Sequence, residues 1–204
     1  MDIPAPFRLH EVTVSPELTD YNHHLTESAY LLIMGDSSDA FFRTFGVDDA
    51  YRSGGHSLYT VETHLRNLRE AREGERLDLT IQVLGTDDKR LHIVHEMYSE
   101  TGDLIATAEQ MLLHVDMRAG KAAPFPGPIA RRLREIGAAH AAALPVPEYV
   151  GRTIAIPAGH PRAQLLRFRL PLPDGFHRKM KHHLVAAPMR LLGNLHGMNM
   201  VRQH

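Results

Sequence analysis

The chain has 204 residues, no cysteine, and a near-even balance of 23 Lys/Arg against 24 Asp/Glu. That length buries one good core, and the missing thiols exclude disulfides, thiol catalysis and Cys-based metal sites. The even charge gives no overall sign of a nucleic-acid or membrane partner.

The opening residues, Met1-Asp2-Ile3-Pro4, do not read as a signal peptide, because no basic region precedes an apolar run. The apolar stretches are too short to span a bilayer, so a cytoplasmic location is expected. Phe7 to Val14 has β-like composition, and Pro16 ends it. Asp20-Tyr21-Asn22-His23-His24-Leu25-Thr26-Glu27 follows, a dense set of carboxylates, imidazoles and a carboxamide. Thr26 to Phe45 then reads as a helix, with Tyr30, Ile33, Met34, Phe41 and Phe45 on one stripe. Thr26 is the expected N-cap, and Gly46 sits where a helix-ending glycine belongs. Gly35 costs about 1 kcal/mol relative to Ala inside that helix. Close approach to a sheet or a ligand would justify it.

After Gly54-Gly55 the period changes to two. Simple alternation places Tyr59, Val61, Thr63 and Leu65 on one face and Leu58, Thr60, Glu62 and His64 on the other. Leu77 to Val83, Arg90 to Tyr98 and Leu104 to Val115 follow as strands, joined by turn signals at Gly85-Thr86-Asp87-Asp88 and Thr101-Gly102-Asp103. Turns that short make antiparallel neighbours. Ile129 to Leu144 reads as a second helix beyond the Pro124–Pro128 break. A strand, a long helix of roughly 30 Å and a four-strand meander predict an α+β chain. In it a curved antiparallel sheet wraps the helix, which is the hotdog architecture.

Ala158 to His204 differs in kind: it holds eight Lys/Arg and a single acid, Asp174, which leaves −8 on the residues up to Pro157 against +7 here. The expected organisation is a domain over 1–157 and a basic His/Arg-rich extension over 158–204 that is disordered or loosely attached.

The Asp-x-Asn-x-His pattern of Asp20, Asn22 and His24, with Tyr30 six residues further on, resembles the hotdog acyl-CoA thioesterases of the 4-hydroxybenzoyl-CoA thioesterase type. Three segments carry a narrower likeness: Asp20 to Ser28, Tyr59-Thr60-Val61-Glu62-Thr63-His64, and Ala106 to Val115. Together, in that order, they resemble the betainyl-CoA thioesterases found fused to, or beside, carnitine dehydrogenase. The likeness covers roughly Pro6 to Pro157. It implies hydrolysis of a CoA thioester without metal or organic cofactor. It also implies a homodimer or dimer of dimers with sites at the subunit interface, and association with carnitine dehydrogenase. The family usually has glycine where this chain has His23, and glycine supplies positive φ or close backbone approach.

A thioester needs an activated water or a nucleophile, and donors for the oxyanion. Asp20 is the expected base or nucleophile, with Asn22, His24 and the amides near Thr26 as donors. Asp and Asn in a pre-helix loop also serve simply as turn formers. Glu27 is the rival carboxylate, although the helix dipole alone favours an acid there. Tyr21, Tyr30 and Tyr59 with Glu62 are candidates to cage a trimethylammonium, which aromatic faces and a carboxylate hold. Thr60 and His64 complete the expected substrate-binding set. Arg66, Arg69 and Arg72 are positioned either for CoA phosphates or as solvated surface charge. His92 and His95, three apart on a strand, face opposite ways, and the 15 histidines include no His-Glu-x-x-His spacing, so no metal is expected. Competing readings are a thioesterase for another short or aromatic acyl-CoA, a hydratase or dehydratase on the same fold, and a non-catalytic acyl-CoA-binding module.

Overall fold

A computed structural model describes residues 2–155, and the basic extension lies outside them. Six strands and three α-helices follow in the order β1 (Phe7–Thr13), α1 (Glu27–Arg43), α2 (Asp49–Ser53), β2 (His56–Asn67), β3 (Arg76–Thr86), β4 (Arg90–Ser99), β5 (Leu104–Asp116), β6 (Lys121–Ala122) and α3 (Gly127–Ala143). A 3-10 turn at Pro16–Leu18 precedes the polar loop. The helix α1 starts where Thr26 Oγ1 accepts the Ala29 amide. It buries Tyr30, Ile33, Met34 and Phe41, the stripe its spacing predicts. Each such side chain contributes about 1.5–3 kcal/mol when fully removed from water.

The sheet is antiparallel in the order β1-β3-β4-β5-β2, with β6 beside β5. It supports the curved-sheet-and-helix architecture, with one topological correction. The strand β2 is not the neighbour of β3 in a four-strand meander; it pairs with β5 and forms an edge. The connector from Leu68 to Glu75 allows this, because it carries the chain past the polar loop before β3 begins. Alternation in β2 also fails, and the reason is a bulge between Thr60 and Glu62. An extra residue in one strand shifts the side-chain faces beyond it. Leu58 and Leu65 pack inward, Thr60 pairs with buried Leu112, and Tyr59, Glu62 and His64 oppose Leu113, Met111 and Glu109 on the outer face. Glu62 and His64 therefore share a face with Tyr59 rather than with Thr60.

Two apolar clusters fill the concave side. One gathers Phe41, Phe45, Ile81, Ile93 and Leu112 with Leu133 and Ile136 of α3. The other gathers Leu25, Tyr30, Ile33, Met34, Leu79 and Met97. Ser37 and Ser38 of α1 are buried too, as are His95 and Gln110 of the sheet. Ser38 Oγ lies 3.0 Å from His95 Nε2. Burial lowers the His95 pKa to about 4, outweighing the Gln110 side chain. His140 ties α3 to two distant segments: its Nδ1 accepts the Val83 amide at 2.9 Å, and its Nε2 lies 2.9 Å from the Pro4 carbonyl. Gly35 lies on the exposed side of α1 with nothing within 4 Å of where a Cβ would stand. Among the described residues no close approach explains that glycine.

Candidate functional site

The stretch from Thr19 to Leu25 closes on itself as a tight loop. The Asp20 amide donates to the His24 carbonyl at 2.8 Å, and the His23 amide donates to the Asp20 carbonyl at 3.0 Å. Asp20 Oδ1 then accepts two amides, from Asn22 at 2.8 Å and His24 at 3.1 Å. This is the turn chemistry expected of a pre-helix aspartate. Asp20 Oδ2 takes no part in those two bonds. The His24 amide, helped by that of Asn22, holds the Asp20 pKa below its ordinary value against the opposing effect of desolvation. Asp20 is thus a carboxylate throughout the neutral range, at the entrance to α1, whose first amides favour negative charge.

Asn22 and Glu27 are exposed beside it, and His24 is half-buried. Glu27 is the first residue of α1. Asp20, Asn22 and His24 therefore belong to one local construction, and Glu27 follows it in the first turn of α1. Its backbone demands φ of +60° at His23, the one described residue other than glycine with positive φ. This is the position where the resemblance expects glycine, and the histidine takes the left-handed conformation that glycine would supply. The cost is about 1–2 kcal/mol for an L-residue. The connector between β2 and β3 offsets it. The Glu73 amide donates to the His23 carbonyl at 3.1 Å, and Glu73 Oε2 lies 3.1 Å from His23 Nδ1. His24 lies 3.5 Å from Glu70, and the Leu25 amide donates to the Ala71 carbonyl at 2.8 Å. One backbone bond and one exposed side-chain hydrogen bond, about 0.5–1.5 kcal/mol each, are of the same size as the strain. Sequence reasoning missed Glu70 and Glu73, since nothing in a local pattern joins residues 50 positions apart.

The remaining substrate-binding candidates separate. Tyr21 is 91% exposed and Tyr59 51% exposed, whereas Tyr30 is 4% exposed and belongs to the inner apolar cluster. Its hydroxyl donates to the Arg69 carbonyl at 3.3 Å, so its ring is not presented to a ligand in this chain. Glu62 and His64 line an outer-face cavity of about 290 Å³ with His92, Glu109, Met111 and residues Gly151 to Thr153. His92 Nε2 stands 2.8 Å from Glu109 Oε1, and the Gly151 amide donates to Glu109 Oε2 at 2.7 Å. None of the Asp20-loop residues lines this cavity. Glu109 and His92 were legible only through strand register, which places Glu109 opposite His64. Of the three arginines, Arg66 stacks over Tyr149 at 5.6 Å and Arg69 pairs with Asp103 at 3.0 Å. His92 and His95 do lie on opposite faces, and no group of three or more metal-binding side chains occurs among the described residues.

Residues 14–133 match the thioesterase-like superfamily. A Pseudomonas aeruginosa protein named betainyl-CoA thioesterase is 45% identical over 150 residues, 72% of this chain and 94% of that one. A Rhizobium meliloti protein named L-carnitine dehydrogenase/betainyl-CoA thioesterase is 46% identical over 155 residues, 76% of this chain. The match spans only 31% of that longer relative. Among solved structures, a Staphylococcus aureus protein in complex with CoA superposes with a TM-score of 0.70 at 26% identity, covering 77% of this chain and all of the other.

Proposed function

We propose, since the chain belongs to the thioesterase-like superfamily, that it hydrolyses a short acyl-CoA thioester and that betainyl-CoA is its substrate. The observation that carries the chemistry is the Asp20 loop. Two backbone amides fix one carboxylate oxygen and leave the other outside those bonds, in the loop that leads into a helix. Asp20 Oδ2 takes a proton from a water that attacks the thioester carbonyl, or attacks that carbonyl itself to give an anhydride that water then opens. Asn22, His24 and the first amides of α1 supply donors as charge develops on the carbonyl oxygen. The thiolate leaves as CoA, and the acid is released.

The acyl group follows from the named relatives and from the outer face. Tyr21, Tyr59 and Glu62 are exposed groups of the type that hold a quaternary ammonium. The loop and the outer-face residues lie apart in one protomer, so the reading requires a homodimer whose second subunit brings its Glu62 face to the loop. The edge strand β2, with Tyr59 and Val61 exposed, is the natural seam, because an unpaired edge invites another strand. Assembly as a dimer of dimers extends the same reading, and contact with a carnitine dehydrogenase belongs to it because relatives carry both names in one chain.

The test is thiol release from a panel of betainyl-CoA, an uncharged acyl-CoA of equal size and an aromatic acyl-CoA. Preference for the cationic substrate is expected. Equal rates across the panel would remove the betainyl assignment, and CoA binding without release would make the chain a binding module.

A further inference from the structure

His23 is the one described non-glycine residue in the left-handed region, and it carries the loop on which Asp20 depends. The residue there is held twice by Glu73, whose amide donates to the His23 carbonyl and whose carboxylate meets the imidazole. The backbone bond is open to any residue at position 23, whereas the side-chain bond exists only because position 23 is histidine. We infer that Glu73 is a positioning residue for thioester hydrolysis. Its carboxylate clamps the His23 ring and so keeps the Asn22 and His24 amides converged on Asp20 Oδ1, doing by contact what a glycine does by conformational freedom.

The geometry gives this clamp a clear scope. Glu73 touches none of Asp20, Asn22 or Glu27 in the bonds that define the loop, so it acts only through His23. When the clamp is released, the left-handed state loses a brace and its alternatives gain population. The Asn22 and His24 amides then leave Asp20 part of the time, and the carboxylate loses its fixed direction. The step harmed is the attack, not binding of the CoA portion. The inference rests on Asp20 being the reacting carboxylate, and its structural half stands without that.

A double-mutant cycle with two readouts tests it. The four proteins are the wild type, E73A, H23G and H23G/E73A, with hydrogen exchange of the Asn22 and His24 amides followed beside kcat and KM for betainyl-CoA. With His23 present, E73A is expected to speed exchange of both amides and to lower kcat by about fivefold, the scale of one side-chain hydrogen bond, with KM little changed. In the H23G background the same substitution should change neither. Equal effects of E73A in both backgrounds, or no effect on exchange with His23 present, would overturn the clamp. If exchange follows the cycle but no acyl-CoA is hydrolysed by any of the four, the clamp stands and the thioesterase reading fails. If the exchange cycle holds while turnover stays flat in an active enzyme, the positioning role is lost.

Discussion

Two regions of this molecule are rich in glutamate and histidine, and they are built in opposite ways. Around Asp20 the functional groups are fixed by backbone amides, a left-handed residue and a helix start, so the carboxylate's direction is set by main chain. Around Glu109 the groups project from neighbouring strands, and His92, Glu109 and the Gly151 amide satisfy one another. The comparison teaches that composition does not identify a reacting group. Glu109 has both oxygens engaged, whereas the loop amides hold Asp20 through Oδ1 alone.

The largest expected effect lies at the loop. Asp20→Asn should lower kcat by at least ~100-fold, whereas Glu27→Gln should cost less than about fivefold, the scale of a first-turn dipole contribution. A steady-state assay of both variants decides it, and the reverse order would move the chemistry onto the helix.

Acid sensitivity comes next, and it separates the loop from the core. The His95 pKa is lowered to about 4 by burial, and burial lowers those of His114 and His140 as well. Above pH 6.5, the ordinary histidine value, folded and unfolded chains are both neutral at these sites. As pH falls further, the unfolded chain binds protons that the folded chain refuses, so stability declines below pH 6.5 and the His95 contribution levels off below about pH 4. His95 alone accounts for roughly 3 kcal/mol of this decline. Asp20, by contrast, titrates below its ordinary value of 3.8. Activity lost on acidification should therefore track denaturant midpoints measured at each pH. Loss of turnover near pH 5 with unchanged stability would show that a loop group titrates instead.

A third effect belongs to the outer face. Glu62→Gln should raise KM about tenfold for betainyl-CoA, and leave an uncharged acyl-CoA unaffected, if the carboxylate meets a trimethylammonium. A uniform change for both substrates would return Glu62 to the surface. The smallest effect concerns α1. Gly35→Ala should raise stability by up to about 1 kcal/mol, read as a higher Tm, since its position is open. Destabilisation would show instead that this helix face is covered in the assembled protein.

Much of this was legible from residues alone, for reasons that differ by element. The buried stripe of α1 follows from a period that only a helix satisfies, and Thr26 announces its start through capping chemistry. The Asp20 loop was legible because Asp and Asn turns are local. Two features were not. The bulge in β2 is invisible because Val61 suits a strand as well as its neighbours do, so alternation gave the wrong companions to Glu62. The place of β2 beside β5 was equally hidden, because a connector between Leu68 and Glu75 looks the same whether the chain turns back or crosses over. Tyr30 satisfied both a cage and a core by residue type, and the register of α1 sends it inward.

The break at Val61 has a consequence beyond the faces it rearranges. A strand docking along this edge would find its hydrogen-bond rungs out of step at that point, so an arbitrary extended peptide could zip up only part of the way. A partner with its own interruption at the matching place could run the full length. The bulge thus limits how many strands, and in how many alignments, could pair along the full open side of the sheet.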